Sequence, residues 1–337
     1  MNRGNERLVE NEHLVEIEDL YVSFFTPAGE VKAVGGISYT LDRGKVLGIV
    51  GESGSGKSVS VNAIMRMIDY PGKIKGGRIR FNGIDILGQT EKQMRHLRGK
   101  EMGMIFQDPM TSLNPVYTVG NQLMEGLRRH MRLSKADAHR RALEMLTLVG
   151  VNNPEQRMKQ YPHEFSGGMR QRAMIAMTLA CEPKLLIADE PTTALDVTIQ
   201  AQILHLMKDL RTKIHSAIIL ITHDLGIVTD LCDDVIVMYG GKIVETGSLR
   251  DIFYRPAHPY TIGLLRCLPR MDSEGKDPLV PIEGTPVDQL SLPNGCAFAP
   301  RCDRCMKGCL TEQPPAFEIG EGHTCACWLS CAREGIA

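Results

Sequence analysis

Three features that define whole classes of protein are missing from this 337-residue sequence. It has no run of about 18 or more apolar residues, which a membrane-spanning helix needs. Its residues 1–7 lack the apolar core of a signal peptide, so we expect a chain that is neither secreted nor membrane-spanning. The net charge is only −1, which argues against nucleic acid or an anionic lipid surface as the main partner.

Internal repeats, low-complexity tracts and sustained heptads are also missing, which disfavours solenoid and coiled-coil architectures. What is present suits a globular protein, because 43% of the residues are hydrophobic and 23% are charged. The length is compatible with two or three domains.

The most informative stretch is the glycine-rich loop at residues 51–58. It follows the apolar run Val46–Val50 and leads into a segment with helical spacing. The spacing G-x-x-x-x-G-K-[ST] lets backbone N–H groups surround phosphates at the positive end of the next helix. A chance match has a frequency on the order of one per cent for a chain of this length. We expect Lys57 to contact the β- and γ-phosphates and Ser58 to hold Mg²⁺.

The other loop residues that we expect around the nucleotide are Gly51, Ser53, Gly54, Ser55 and Gly56.

Acidic and basic side chains follow two further apolar strands. Leu185–Ala188 is typical of a buried parallel strand, and Asp189 and Glu190 come at its carboxyl end, where open α/β sheets bind ligands. Asp189 suits Mg²⁺ coordination, and Glu190 suits polarising the attacking water. The strand Ala217–Thr222 delivers His223 to the same sheet edge.

Two more motifs lie between these strands and the loop. Gln107 follows the strand-like run Met102–Phe106. Further on, a long apolar-periodic segment begins with a serine and two glycines, which predicts a second phosphate-binding helix N-terminus. Its residues are Ser166, Gly167 and Gly168.

Local patterns predict several elements. His13–Ile17 alternates like an edge strand, and Asn82-Gly83 and Gly240-Gly241 are typical of turns. Ser134 with Asp137 resembles a capping box at the start of a helix. Prolines at 278, 281, 286 and 293 indicate an extended connection.

In this order, the motifs resemble those of the ATP-binding subunits of ABC transporters. All six motifs of that family lie within residues 51–224: the Walker A loop, the Q-loop at Gln107, the signature motif, Walker B, the D-loop ending at Asp196, and the switch His223. The segments 106–115 and 258–261 are more closely similar to the oligopeptide/dipeptide importer branch, which includes nickel importers. The signature departs from the general pattern at Phe165 and Met169 but keeps its serine and glycines.

The resemblance implies an α/β fold with a P-loop NTPase (RecA-like) core, a β-rich N-terminal subdomain, an inserted helical subdomain and a small Cys-rich C-terminal extension. The nucleotide-binding domain would span residues 1–250, with the helical subdomain at about 109–182. The importer-type C-terminal region would span 251–337. Phe24, with Phe25 as a second choice, would stack on adenine; a core phenylalanine in a hairpin is the plain alternative.

The resemblance also implies roles for individual residues. Glu190 would be the general base, with His223 and Gln107 beside the γ-phosphate. Ser58, Gln107 and Asp189 would bind Mg²⁺, and Asp196 would act across a dimer interface.

Partners follow from the same resemblance. Two ATPase subunits, here a heterodimer with a second homologous chain, would close over ATP beneath two transmembrane permease subunits, at the cytoplasmic face of a bacterial membrane. An extracellular or periplasmic binding protein would deliver oligopeptides or dipeptides. Nickel chelates or another small solute are the alternative cargo, and a soluble non-transport ABC ATPase is a more remote alternative.

Cysteines concentrate near the carboxyl end, where seven of the ten follow residue 295. In a cytosolic chain such clustering favours metal binding over disulfides. Resemblance to the family's tail selects four ligands for a [4Fe–4S] cluster, with zinc or no metal as the alternatives. Those four are Cys296, Cys302, Cys309 and Cys327. Cys305, Cys325 and Cys331 are surplus, so other ligand sets remain open.

Overall fold

Two β-sheets organise the parts of the chain that the computed structural model describes, namely residues 13–108, 112–192, 197–213, 216–268 and 281–333. A four-stranded sheet has the order β2-β1-β4-β5, and an eight-stranded sheet has the order β11-β12-β10-β9-β3-β8-β7-β6. The expected α/β fold is therefore present.

The strands are β1 (His13–Thr26), β2 (Gly29–Asp42), β3 (Val46–Val50), β4 (Gly72–Phe81), β5 (Ile84–Asp85), β6 (Met102–Ile105), β7 (Leu185–Asp189), β8 (Ala217–Thr222), β9 (Asp234–Tyr239), β10 (Lys242–Ser248), β11 (Phe317–Gly320) and β12 (His323–Cys325). The α-helices are α1 (Lys57–Ile64), α2 (Glu91–Leu97), α3 (Val119–His130), α4 (Lys135–Leu148), α5 (Pro154–Arg157), α6 (Gly167–Leu179), α7 (Val197–Lys213), α8 (Leu225–Leu231), α9 (Leu249–Tyr254), α10 (Pro259–Arg266) and α11 (Lys307–Thr311).

The larger sheet positions the site. Its central strands β9, β3, β8, β7 and β6 are parallel. Strand β3 is buried along its whole length, because Val46 and Val50 pack into one hydrophobic cluster while Leu47 and Ile49 pack into the other. The carboxyl ends of β3, β7 and β8 therefore meet at one sheet edge.

The carboxyl-terminal strands continue this sheet. β12 pairs with β10 in an antiparallel register that places Glu245 opposite Cys325. A hydrogen bond of 2.8 Å joins the hydroxyl groups of Thr246 and Thr324. The cysteine-rich extension is thus attached to the core through backbone pairing as well as side chains.

The smaller sheet corrects one expectation. We expect an edge strand at His13–Ile17, but β1 pairs with β2 on one side and β4 on the other. The alternation of buried and exposed residues reports that a strand has two different faces; it does not report how many neighbours the strand has. The edge prediction is therefore wrong.

In the sequence, helices α3 to α6 lie between β6 and β7. Ser134 caps α4, since its hydroxyl accepts a hydrogen bond of 3.1 Å from the amide of Asp137, which confirms the predicted helix start. Leu123, Ala142 and Ala176 of these helices are buried in one cluster. No helix in the described residues is both long and apolar enough to cross a membrane.

Turns and loops agree with the predictions. Positive φ angles occur at Asn82 (51°), Gly83 (77°), Gly240 (54°) and Gly241 (78°). The segment 281–298 runs without helix or strand, and Pro278 lies outside the described residues.

Candidate nucleotide-binding site

The glycine-rich loop joins β3 to α1 in a conformation that requires glycine. Gly51 has φ 151° and Gly56 has φ 99°. A Cβ atom on Gly51 would lie 2.2 Å from the carbonyl oxygen of Met238, and one on Gly56 would lie 2.4 Å from that of Ala33. Gly56 caps α1 without a side-chain hydrogen bond, which leaves the positive end of the helix facing the loop.

Lys57 lies under this loop. Its ammonium donates to the carbonyl oxygens of Gly51 and Glu52 at 2.8 and 2.9 Å. Burial lowers the pKa of Lys57, and the nearby carboxylates of Glu190 and Asp189 oppose that shift. The loop therefore holds a buried cation whose present partners are carbonyl groups, which an anion can replace.

A second buried donor lies in the same loop. The Ser55 hydroxyl has no hydrogen-bond partner among the described residues, although it is fully enclosed. Buried polar atoms normally have partners, so an unpaired hydroxyl here favours a polar ligand.

Ser58 and Asp189 form an oxygen-rich pair at the start of α1 and the end of β7. The Ser58 hydroxyl donates to Asp189 Oδ1 at 2.8 Å. Burial raises the pKa of Asp189, and the hydrogen bond from Ser58 opposes the shift. Hydroxyl and carboxylate oxygens are ligands that Mg²⁺ prefers, so the pair fits this ion.

Glu190 contacts two other predicted site residues, Gln107 and His223. It has a φ of 45°, which is uncommon for a residue other than glycine, and its amide is held by a 3.0 Å hydrogen bond to the carbonyl oxygen of Ile221. Gln107 Nε2 donates to Glu190 Oε2 at 3.0 Å, and His223 Nδ1 lies 3.4 Å from Glu190 Oε1. Backbone strain of this kind clusters at functional sites.

An open cleft of about 710 Å³ lies above these groups. The phosphate loop, Gln107, Glu190, His223 and Phe24 all line it. Phe25 does not line it; its ring is 42% exposed and lies 5.6 Å from the ammonium of Lys73. Of the two phenylalanines, Phe24 is thus the one placed to meet a base.

Other predicted residues do not reach this cleft. Ser166 caps α6, accepting a 3.3 Å hydrogen bond from Met169, while Gly167 and Gly168 form its first turn. None of the three is among the residues that line the cleft. Asp196 and the rest of its motif lie outside the described residues.

Sequence reasoning missed three residues that contact the loop from the carboxyl-terminal region. Gln289 lines the cleft, and its side-chain amide donates to the carbonyl oxygen of Gly54. The Tyr260 hydroxyl accepts from the amide of Glu52 at 2.8 Å, and Arg301 pairs with the Glu52 carboxylate. Arg301 directly precedes Cys302, and no local periodicity links it to the loop.

The four selected cysteines lie in one region. The amide of Cys296 donates to the carbonyl oxygen of Cys309 at 2.8 Å. Burial raises the pKa of Cys302 to about 11, and the neighbouring Cys327 and Cys296 raise it further. Burial also raises the pKa of Cys327, and Cys296 and Cys309 add to that shift. The thiols are thus close enough to interact electrostatically. Even so, no group of three or more His, Cys, Asp or Glu in the described residues is arranged to hold a metal ion.

Comparison with protein families gives two matches. Residues 34–193 match the family described as ABC transporter. Residues 244–309 match the family described as oligopeptide/dipeptide transporter, C-terminal region.

Three proteins named for peptide transport are similar to this chain over almost its whole length. The oligopeptide transport ATP-binding protein OppD of Bacillus subtilis is 56% identical over 317 residues, covering 94% of this chain and 88% of that protein. The dipeptide transport ATP-binding protein DppD of Bacillus subtilis is 52% identical over 323 residues, covering 96% of each. The OppD protein of Salmonella typhimurium is 53% identical over 315 residues, covering 94% of this chain and 93% of that protein.

Solved structures share the fold. A dimeric ATP-binding cassette in a post-hydrolysis state with bound ADP and Pi superposes with a TM-score of 0.63 at 26% identity, covering 70% of this chain and 99% of that one. The cbiO1 subunit of an ABC transporter complex of Clostridium perfringens gives 0.61 at 29% identity, covering 73% and 92%.

Proposed function

Because this chain belongs to the ABC transporter ATP-binding proteins and carries their oligopeptide/dipeptide-type C-terminal region, we propose that it hydrolyses ATP to power the import of peptides. Identities of 52 to 56% to proteins named for oligopeptide and dipeptide transport support this cargo class. Because relatives named for both kinds of peptide are similarly close, the proposal covers oligopeptides and dipeptides.

The observation that carries the ATPase proposal is the contact between groups from four separate parts of the chain. Ser58 meets Asp189, and Glu190 meets both Gln107 and His223, all beside the phosphate loop. Such an arrangement suits phosphoryl transfer to water, in which the protein positions the reactants and stabilises charge.

Each group then has a role. Loop amides and Lys57 bind the phosphates of ATP, and Phe24 stacks on the adenine. Glu190 accepts the proton of the attacking water, and His223 orients that water and contacts the γ-phosphate. Ser58, Asp189 and Gln107 would hold Mg²⁺, which would supply positive charge to the phosphates.

The serine and glycines at the start of α6 complete the site of a second subunit. Because Ser166, Gly167 and Gly168 do not line this chain's own cleft, we assign them to the nucleotide of a partner. Asp196 acts at the same subunit boundary. We take the partner to be a second homologous ATPase, so that the two chains close over ATP as a heterodimer.

The remaining partners follow from the import function. Two transmembrane permease subunits bind the ATPase pair on the cytoplasmic face of a bacterial membrane, which makes this chain peripheral. An extracellular or periplasmic binding protein delivers the peptide. Within the chain, residues 1–250 form the nucleotide-binding domain, with the helical subdomain at about 109–182, and residues 251–337 form the C-terminal region.

We also propose that Cys296, Cys302, Cys309 and Cys327 bind a [4Fe–4S] cluster. Four cysteine sulfur atoms in one region support it, although their arrangement in this structure is not that of metal ligands. Anaerobic purification followed by iron, sulfide and zinc analysis tests it. Four iron and four sulfide per chain are expected, and stoichiometric zinc without sulfide contradicts the cluster.

Uptake by cells tests the cargo. A strain that lacks this chain is complemented with the wild type or with Glu190→Gln, and uptake of labelled di-, tri- and longer peptides and of a nickel chelate is measured. Peptide uptake restored by the wild type alone supports the proposal. Restored uptake of the nickel chelate and not of peptides replaces the cargo, and no change in any uptake contradicts a transport function.

A further inference from the structure

Two residues of the C-terminal region, Gln289 and Arg301, contact the phosphate loop. The side-chain amide of Gln289 donates to the carbonyl oxygen of Gly54, and the backbone carbonyl of Gln289 accepts from Lys32 at 3.2 Å. Twelve residues later, Arg301 forms an ion pair with Glu52. Residues of the C-terminal region thus contact the glycine-rich loop directly.

The pair between Arg301 and Glu52 has two parallel hydrogen bonds. Nη1 donates to Oε2 at 2.6 Å and Nη2 donates to Oε1 at 3.1 Å. Side-chain exposure is 5% for Arg301 and 26% for Glu52. Bidentate pairs of this kind fix geometry as well as charge, and they are stronger when water is excluded.

The rest of the guanidinium group is also held. Nε donates to the carbonyl oxygen of Glu283 at 2.9 Å and Nη2 donates to that of Ile282 at 3.2 Å. Nη1 donates to the Tyr239 hydroxyl at 3.4 Å, and the group lies 5.9 Å from the centre of the Phe298 ring. Every nitrogen of the Arg301 guanidinium group therefore has a hydrogen-bond partner, which fixes the orientation of the group.

Glu52 is an unexpected residue for a loop that binds a polyanion. It lines the same cleft as Lys57, and its carboxylate raises the pKa of that lysine, against the effect of burial. An unpaired carboxylate in this position would repel phosphate oxygens. Because Arg301 neutralises it, the loop presents the charge of Lys57 and its own amides to the ligand.

We propose that Arg301 is a positioning residue of the nucleotide site, which fixes Glu52 and cancels its charge so that the loop can bind a triphosphate. The inference rests on the proposed role of residues 51–58 in binding ATP. Through Arg301, the C-terminal region thus contributes to ATP binding.

The test measures dissociation constants of ATP, ADP and AMP, all with Mg²⁺, for the full-length chain and its variants. Arg301→Gln leaves Glu52 unpaired, so affinity for ATP should fall about tenfold or more, with smaller losses for ADP and AMP. The double variant Glu52→Gln with Arg301→Gln should recover ATP affinity to within about threefold of the wild type, because no unpaired carboxylate remains. Equal losses for all three nucleotides, or no recovery in the double variant, would overturn the proposal.

Arg98→Gln is the matched control. Arg98 has the same kinds of partners, since it pairs with the carboxylate of Glu91 and donates to the carbonyl oxygens of Met65 and Arg66, but none of its partners is in the phosphate loop. We expect this variant to lose stability while its ATP affinity stays within about twofold of the wild type.

Glu52→Gln alone covers the case in which Arg301→Gln does not fold. It leaves a cation without a counter-charge beside the phosphates, so ATP affinity should rise about threefold, and more for ATP than for AMP. Unchanged or weaker ATP binding contradicts the inference. A wild-type chain that binds no ATP contradicts the proposed function, whereas wild-type binding with unaltered Arg301→Gln binding contradicts only this inference.

Discussion

The Ser58 hydroxyl donates a 2.8 Å hydrogen bond to Asp189, although 131 positions separate the two residues in the sequence. Ser58 is the second residue of α1, which follows β3, and Asp189 is the last residue of β7. Both β3 and β7 pair with β8 in the parallel sheet. Because parallel strands end at the same edge, the sheet places a hydroxyl beside a carboxylate. The same edge carries Glu190 and His223.

Replacing Asp189 with asparagine tests the proposed Mg²⁺ site. Asparagine keeps the shape and can still accept the Ser58 hydrogen bond, but it lacks the negative charge that a divalent cation needs. We expect the hydrolysis rate to fall at least about tenfold, with a higher Mg²⁺ concentration needed for half-maximal rate. Asp137→Asn, in an exposed N-terminal turn of α4, is the control and should leave both quantities unchanged. An unaltered Mg²⁺ dependence in Asp189→Asn would contradict the assignment.

Replacing Glu190 with glutamine tests the general base. Glutamine keeps contacts with Gln107 and His223 but cannot accept the proton of water, so we expect hydrolysis to fall about 10²-fold or more while ATP binding persists. Gel filtration with ATP should show a closed dimer that the wild type forms only transiently. Near-normal hydrolysis would assign the base to another residue.

Glu245 anchors the C-terminal region. Its buried carboxylate accepts hydrogen bonds from the amides of Ala257 and His258 at 2.8 and 2.9 Å, and it lies 2.9 Å from His323 Nε2. Glu245→Ala leaves these groups without an acceptor, so we expect a loss of about 3 kcal/mol in the free energy of unfolding.

Glu18→Ala removes an exposed pair with Arg78 and serves as the comparison, with an expected loss below about 1 kcal/mol. Denaturant unfolding measures both. Similar losses in the two variants would show that the Glu245 contacts do not anchor the region.

His258 predicts a pH dependence of stability. Burial lowers the pKa of His258 from 6.5 to about 4 in the folded chain. The unfolded chain therefore binds more protons between these two values, so stability falls as the pH drops from about 6.5 towards 4. At pH 5 the loss from this group is about 2 kcal/mol.

His258→Asn keeps a side chain that can cap α10 in place of the histidine nitrogen, which accepts from Tyr260 at 3.0 Å. The variant should lose part of the difference in unfolding free energy between pH 7.5 and pH 5. If the difference is the same in both chains, other groups cause it.

Local sequence patterns were enough to predict that most residues of the candidate site lie close together. The loop, the acids after β7 and the histidine after β8 could be predicted because each follows directly from a strand, and a parallel sheet brings strand ends together. The choice of Phe24 over Phe25 rested on family resemblance alone, because adjacent residues of a strand differ only in the face on which they lie.

Contacts made by the C-terminal region could not be predicted. Arg301 and Glu52 are 249 positions apart, and no hydrophobic period or turn pattern relates them. Gln289, in a segment without helix or strand, and Tyr260, in α10, also reach the loop through tertiary packing. The edge assignment of β1 failed for a similar reason, since pairing partners are not encoded in one strand's own alternation.

The most direct test of the account is the ATPase rate of this chain assembled with its permease and partner ATPase subunits in lipid, while binding protein loaded with di-, tri- or longer peptides is added. We predict that one class of peptide stimulates hydrolysis and that Glu190→Gln abolishes the stimulated rate. A rate that stays constant with every peptide, in an assembly that still hydrolyses ATP, would contradict peptide import.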